Sequence, residues 1–514
     1  MSPLDWGVLV AYLSAMLLIA LWLGREQLSR RDYYLAGGGL PSWALAVSII
    51  ATQCSTNSLL GAPAFVGFAP GGGMIWLQYE LAVPLAMLAL ALLFAPIHGS
   101  GHISIYAFLE DRLGREVRLT ASACFLFFRG VATGVTVYGV STVLALITGL
   151  DYVAAVVALM AVTIAYDVLG GMRAVVVSDV VQMGLLLAAV AAALLWLSPS
   201  LLEHWEALGS RSDPLLLDWG LDGTQQYGLW PMLIGGLFLY MAYYGCDQSQ
   251  AQRLLATRDR PALYRVLLLN GVLRFPLVLA YCLLGLGLAA YAIEQPDFIP
   301  GLPRTDAGTP NLNLVFPAFV LREFVPGLAG LAIVGLFAAA MSSIDSALNS
   351  LSASTVEDFL PHAAHSEKQF FRLSRWLTLA WGLFAVALSF AVEHIAPTVL
   401  EAINKIGSMA NGPLLALFVL AAFFPGLDRR AALAGFALGL AGNGLLWLLM
   451  PQISWLWWNP IGCLLALLVA LPAGAIGGRP ARRPGVLVLP PRWLSAALLA
   501  AGVLMALGLG LASR

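Results

Sequence analysis

The stretch 341–354, MSSIDSALNSLSAS, places serine hydroxyls, the Asn349 amide and the Asp345 carboxylate inside an apolar segment. At about 100° per residue, Ser342 and Ser346 point almost the same way, Ala339 and Ser343 flank them, and Asn349 continues the stripe. Asp345 lies roughly 60° to one side of it. A second polar run, ATQCSTNS at 51–58, interrupts another apolar segment. Hydroxyls and free backbone carbonyls are what a hard cation such as sodium accepts, and few full charges are needed. Unpaired polar groups in lipid are expensive, so both runs must face protein or a water-filled cavity. Either run alone also reads as interhelical hydrogen bonding between small polar residues. Two such runs in one chain favour an ion or solute pathway.

Single charged residues inside apolar segments add to the set. Asp179 stands in GGMRAVVVSDVVQMG, Glu80 in LQYELAVP and Asp247 in YYGCDQSQAQR. Each reads as a functional carboxylate or as a paired helix-end residue. Two roles are open to Arg129: its head can snorkel to the membrane surface, or it can bind a substrate carboxylate as a bidentate donor. Arg274 reads as a residue paired within the bundle. The cysteines Cys54, Cys124, Cys246, Cys282 and Cys463 show no metal-ligand or redox spacing and read as small apolar residues.

The elements that must hold these residues are membrane helices. The chain has 514 residues, 60% hydrophobic and 11% charged, against about 25% charged in a soluble domain. About fourteen segments are long and apolar enough to span a bilayer. They lie near 6–23, 42–66, 76–97, 120–147, 152–170, 174–197, 230–250, 264–291, 314–353, 373–392, 396–424, 431–450, 454–477 and 492–511. The chain therefore reads as an all-α polytopic membrane protein, a single membrane transport domain over 1–514. Most of the 27 Lys and Arg residues fall in alternate loops, those after the first, third, fifth and later odd segments. Arg253, Arg258, Arg260 and Arg265 are assigned to one of these. The loop after the sixth segment is acidic instead, with Glu203, Glu206, Asp213, Asp218 and Asp222. The positive-inside rule then puts both termini outside a plasma membrane, the inner membrane of a bacterium. A net charge of −1 gives no reason to expect a nucleic-acid partner.

Five stretches in order resemble the sodium:solute symporter family, which includes glucose, proline, monocarboxylate, multivitamin and sialic acid transporters. They are YYLAGGGLPSWALAVSIIAT, GGMRAVVVSDVVQ, DQSQAQR, FAAAMSSIDSALNSLSASTVEDF and GPLLALFVLAAFFP, spanning about Asp32 to Pro425. The resemblance implies a LeuT-like core of five-plus-five inverted repeats, approximately 42–250 and 230–424, with accessory helices at 431–514. It implies sodium-coupled symport of a small organic solute into the cell by alternating access, without enzymatic chemistry. It assigns a first sodium site to the carbonyls of Ala51, Cys54 and Ala339 and the hydroxyls of Ser342 and Ser343. A second site, for a cation or a proton, maps to Asp179, Asp345 and Ser346, with Asp345 standing where relatives carry a hydroxyl. Substrate candidates are Gln53, Ser58, Glu80, Arg129 and Asp247. The partners implied are the solute, sodium and the lipid bilayer. The alternative is a proton-coupled symporter or a solute-gated cation channel of the same fold. The solute, the stoichiometry and the oligomeric state are not written in the sequence.

Overall fold

The computed structural model describes residues 1–25, 29–54, 56–223, 226–304, 308–360, 366–392, 399–476 and 488–513. Helices in chain order are α1 (Pro3–Gly24), α2 (Arg30–Leu35), α3 (Ser42–Gln53), α4 (Thr56–Phe68), α5 (Ala82–His98), α6 (Ile105–Leu113), α7 (Arg115–Thr148), α8 (Tyr152–Glu203) and α9 (Gly236–Cys246). Then come α10 (Gln248–Leu255), α11 (Arg260–Glu294), α12 (Val315–Glu323), α13 (Leu328–Ser354), α14 (Glu367–Val392), α15 (Val399–Phe423), α16 (Arg429–Leu449), α17 (Trp458–Ile476) and α18 (Arg492–Ala512). No strand occurs among the described residues.

Eleven of the helices there are long and apolar enough to cross a membrane, or up to 12 if one sharply bent pair is a single span. That is fewer than the fourteen expected, and the reason is local. The expected segment 42–66 is two short helices, α3 and α4, separated at Cys54, whose φ/ψ of −84°/58° is not helical. Segment 230–250 breaks at Asp247, between α9 and α10. Segments 152–170 and 174–197 run together as α8, which turns at Gly171. Gly171 has φ 54° and ψ −164°, a backbone conformation open to glycine at no steric cost. The front of segment 314–353 is the separate α12, closed by an extended Phe324.

α13 is the axis of the bundle. It packs against α1, α3, α7, α8, α10 and α14. Within its most apolar window 83% of residues are buried, whereas α16 reaches 28% and α18 22%. The first can therefore carry polar side chains that lipid never meets, while the other two present leucines outward. Capping follows ordinary rules. Asp247 accepts from the Ser249 N–H at 2.8 Å and so starts α10. Ser2 and Asp5 form a capping box at α1.

Candidate functional site

The break at Cys54 leaves carbonyls at the end of α3 without helical partners, and α13 brings its serine stripe against them. Ser343 Oγ donates to the Thr52 carbonyl at 3.1 Å and to the Ala339 carbonyl at 3.3 Å. Thr52, Gln53, Cys54 and Ser343 line a cavity of about 190 Å³. Of the residues assigned to the first sodium site, Ala339, Ser343 and Cys54 thus lie at one wall. Ala51 is buried one residue back, and the carbonyl that meets Ser343 is that of Thr52. Ser342 turns the other way and donates to Asp179 Oδ1 at 2.6 Å. Its lone pairs remain free to accept or to ligate. Ser55 lies outside the described residues.

The second group differs more from expectation. Asp179 is fully buried and accepts from Ser342, Ser48 and Arg253. Arg253, which the charge pattern places in a loop, is 0% exposed. Its Nε donates to Ser48 Oγ at 2.5 Å, its Nη1 to the Ser249 carbonyl at 2.5 Å, and its Nη2 to Asp179 at 3.1 Å and to Ser346. The physical reason is that α10 is a short helix starting mid-bundle at Asp247, so its last turn is still inside the protein. Ser346 Oγ also donates to the Ser342 carbonyl at 2.6 Å and to Asp345 Oδ1 at 3.1 Å. Asp179 and Asp345 are therefore joined through Arg253 and Ser346. Asp345 Oδ2 is buried without a partner.

The substrate candidates divide. Gln53 and Ser58 line the cavity, and the Tyr244 hydroxyl donates to Gln53 Oε1. Glu80 is a structural partner: Arg274 Nε donates to its Oε2 at 2.5 Å, Arg274 Nη2 to its Oε1 at 3.0 Å, and Tyr240 adds 3.2 Å. Arg129 does not snorkel to the membrane surface. It lines the cavity, its Nη1 stands 3.5 Å from Asp247 Oδ2, and its guanidinium lies 5.8 Å from the Tyr243 ring centroid. Two guanidinium atoms of cavity-lining residues, Arg129 Nε and Arg274 Nη1, are buried with no hydrogen-bond partner. Trp76, Tyr79, Tyr240, Tyr243, Tyr281 and Trp455 supply an aromatic wall.

Sequence reasoning missed that wall, Ser48, Thr52 and the burial of Arg253. It also missed Asp167, which is 0% exposed on α8. Its position inside the apolar segment 152–170 was the available signal.

Hydroxyls and carbonyls beside a polar and aromatic cavity are chemically able to hold one hard cation and an organic molecule. The profile of the sodium:solute symporter family matches residues 33–439. The sodium/sialic acid symporter SiaT of Proteus mirabilis (strain HI4320) is 29% identical over 455 residues, 85% of this chain and 88% of that protein. Sodium-coupled monocarboxylate transporter 1 of Xenopus laevis is 28% identical over 428 residues, 81% of this chain and 67% of its own length. A solved Na+-coupled sialic acid symporter in a substrate-bound outward-open state superposes with a TM-score of 0.83 at 24% identity, over 94% of this chain and 99% of that one. With the profile running through both helix breaks and the serine stripe of α13, the chain belongs to the sodium:solute symporter family.

Proposed function

We propose that this sodium-coupled symporter takes a small organic anion, a carboxylate with an apolar or ring-shaped body, in the cavity beside the α3–α4 break. The carrying observation is the pair of unpartnered guanidinium atoms, Arg129 Nε and Arg274 Nη1, on residues that line the same cavity as Ser343 and Thr52. A buried donor left unpaired is costly, and a carboxylate bound against either removes that cost. The tyrosines and tryptophans suit the body of such a molecule. Sodium sits at the Thr52–Ser343–Ala339 end, with Ala51, Cys54 and Ser342 completing its shell, so solute and ion share the wall formed by Thr52 to Cys54. That contiguity is a physical basis for coupling, since each stabilises the same arrangement of α3 and α13. Arg253 neutralises Asp179 in this arrangement, and a second cation near Asp345 and Ser346 would have to share Ser346 with it.

The breaks at Cys54 and at Asp247 support the reading of two inverted repeats, each opening on an interrupted helix. The membrane is the plasma membrane, with the basic loops inside and both termini outside.

The test is a melting-temperature screen of the purified protein with pyruvate, N-acetylneuraminate, biotin, proline and glucose, each in sodium chloride and in choline chloride. Stabilisation by a carboxylate in sodium alone is expected. Stabilisation by glucose and by none of the acids would overturn the anion reading.

A further inference from the structure

Asp167 is a buried carboxylate that the cavity does not use. It sits on α8 four residues before the turn at Gly171, and both its oxygens lack a hydrogen-bond partner. The Tyr33 hydroxyl reaches only its backbone carbonyl, at 3.3 Å. The charged group facing it is Arg253 on α10, whose nitrogens are already committed to Ser48, Ser249, Asp179 and Ser346. From α13 the Asn349 side chain faces it, with Nδ2 unpaired. Gln252 holds the other end of that amide, Nε2 to Asn349 Oδ1 at 2.9 Å, and its own Oε1 has no partner. From α2 come Tyr33 and Tyr34, and from α14 Arg375, which acts on Tyr33. α1 meets this stretch with Ala20 and Gly24. Asp345 lies one turn before Asn349 on α13.

Charge decides what such a group can be. Arg253 stands 3.1 Å from Asp179, while both oxygens of Asp167 and Asp345 Oδ2 are buried with no hydrogen-bond partner. Arg253 answers Asp179. An ionised Asp167, faced only by the Asn349 amide and an already committed Arg253, would be expensive at this depth, so the group calls for a neutralising proton or cation. Its two buried, unpaired oxygens are of the ligand type that a hard cation accepts. α13 leads there from the cavity: Ser343, Ser346 and Asn349 follow at about one-turn intervals.

We propose that Asp167 is a monovalent-cation site on the route from the cavity to the basic-loop side of the bundle, holding a proton in this structure and exchanging it for sodium as sodium leaves. The exchange conserves charge: one sodium arrives, one proton is released to water on that side. The proposal rests on the symporter reading, and the experiment separates the two.

The full chain in lipid nanodiscs is titrated with sodium chloride against choline chloride from acidic to alkaline pH, reading the melting temperature. Competition at one carboxylate makes the apparent sodium affinity rise with pH, by at most about tenfold per unit, and Asp167→Asn flattens that dependence. In parallel, infrared difference spectra of the wild type should show a protonated-carboxyl band that sodium removes and that Asp167→Asn lacks; this readout does not depend on turnover. If sodium fails to stabilise the wild type at any pH, the symporter reading falls. If sodium stabilises the wild type equally at every pH, or the pH dependence and the band survive in Asp167→Asn, the Asp167 site is overturned while the symporter stands.

Discussion

At the scale of single residues, the functional work divides between hydroxyls that face the cavity and charges that face one another. Ser343 touches the Thr52 carbonyl at the α3 break and the Ala339 carbonyl of its own helix, so Ser343→Ala removes one oxygen from the proposed sodium shell without harming helix propensity. The expected result is a sodium requirement raised about tenfold, consistent with one lost charge-assisted contact, measured as the sodium concentration for half-maximal uptake. An unchanged value would show that Ser343 is only a packing hydroxyl. Asp179 and Asp345 should separate under the same isosteric change. Asp179→Asn strands the guanidinium of Arg253, which is fully buried beside it, and a broken buried pair costs about 3–5 kcal/mol. Asp345→Asn strands no cation and should lower the melting temperature far less. Equal losses in the two variants would mean that Arg253 has another counter-charge.

At the scale of elements, the informative feature is the junction of α9 and α10. Asp247 caps α10 through the Ser249 N–H and hydroxyl, and it also stands beside Arg129. The two roles can be parted by chemistry. Asp247→Asn keeps a side-chain acceptor for the cap but removes the charge, whereas Asp247→Ala removes both. Melting temperature should fall with alanine, by the equivalent of about 1 kcal/mol, and stay near wild type with asparagine. Both variants should bind an anionic solute more tightly, because Arg129 no longer shares its charge. Weaker anion binding by both would place Asp247, not Arg129, at the solute. The junction of α3 and α4 works differently: the chain leaves the helix at Cys54, and the Thr52 carbonyl there accepts from the Ser343 hydroxyl of α13 at 3.1 Å, so carbonyls rather than a carboxylate mark that break.

At the scale of the whole molecule, coupling and orientation are the testable properties. In a sodium-coupled symporter, the factor by which sodium tightens solute binding must equal the factor by which solute tightens sodium binding. Two titrations on one preparation check this, and unequal factors would show that the two ligands report different states. Orientation is checked by impermeant thiol labelling in intact cells. A cysteine at exposed Ser210, in the acidic connection, should label from outside, and one at exposed Arg258 only after permeabilisation. The opposite pattern would invert the topology.

The sequence by itself determined the class and the raw chemistry. Hydropathy marks spans because lipid cannot solvate a backbone, and helix periodicity is local enough to gather Ser342, Ser346 and Asn349 on one stripe of α13. The fourteen-span count differs because a window of apolar residues does not register a break such as Cys54 or Asp247, whereas the turn at Gly171 does coincide with the boundary read between 152–170 and 174–197. Tertiary structure alone decided the pairings. Glu80 and Arg274 meet across 194 residues, and the aromatic wall is assembled from residues far apart along the chain. Arg253 shows the reason most directly. By charge it belongs to a cytoplasmic loop, because the positive-inside rule counts residues and not their depth. Its burial beside Asp179, Ser48 and Ser346 is fixed by how α10 docks between α3 and α13, a relation among helices that no local pattern encodes.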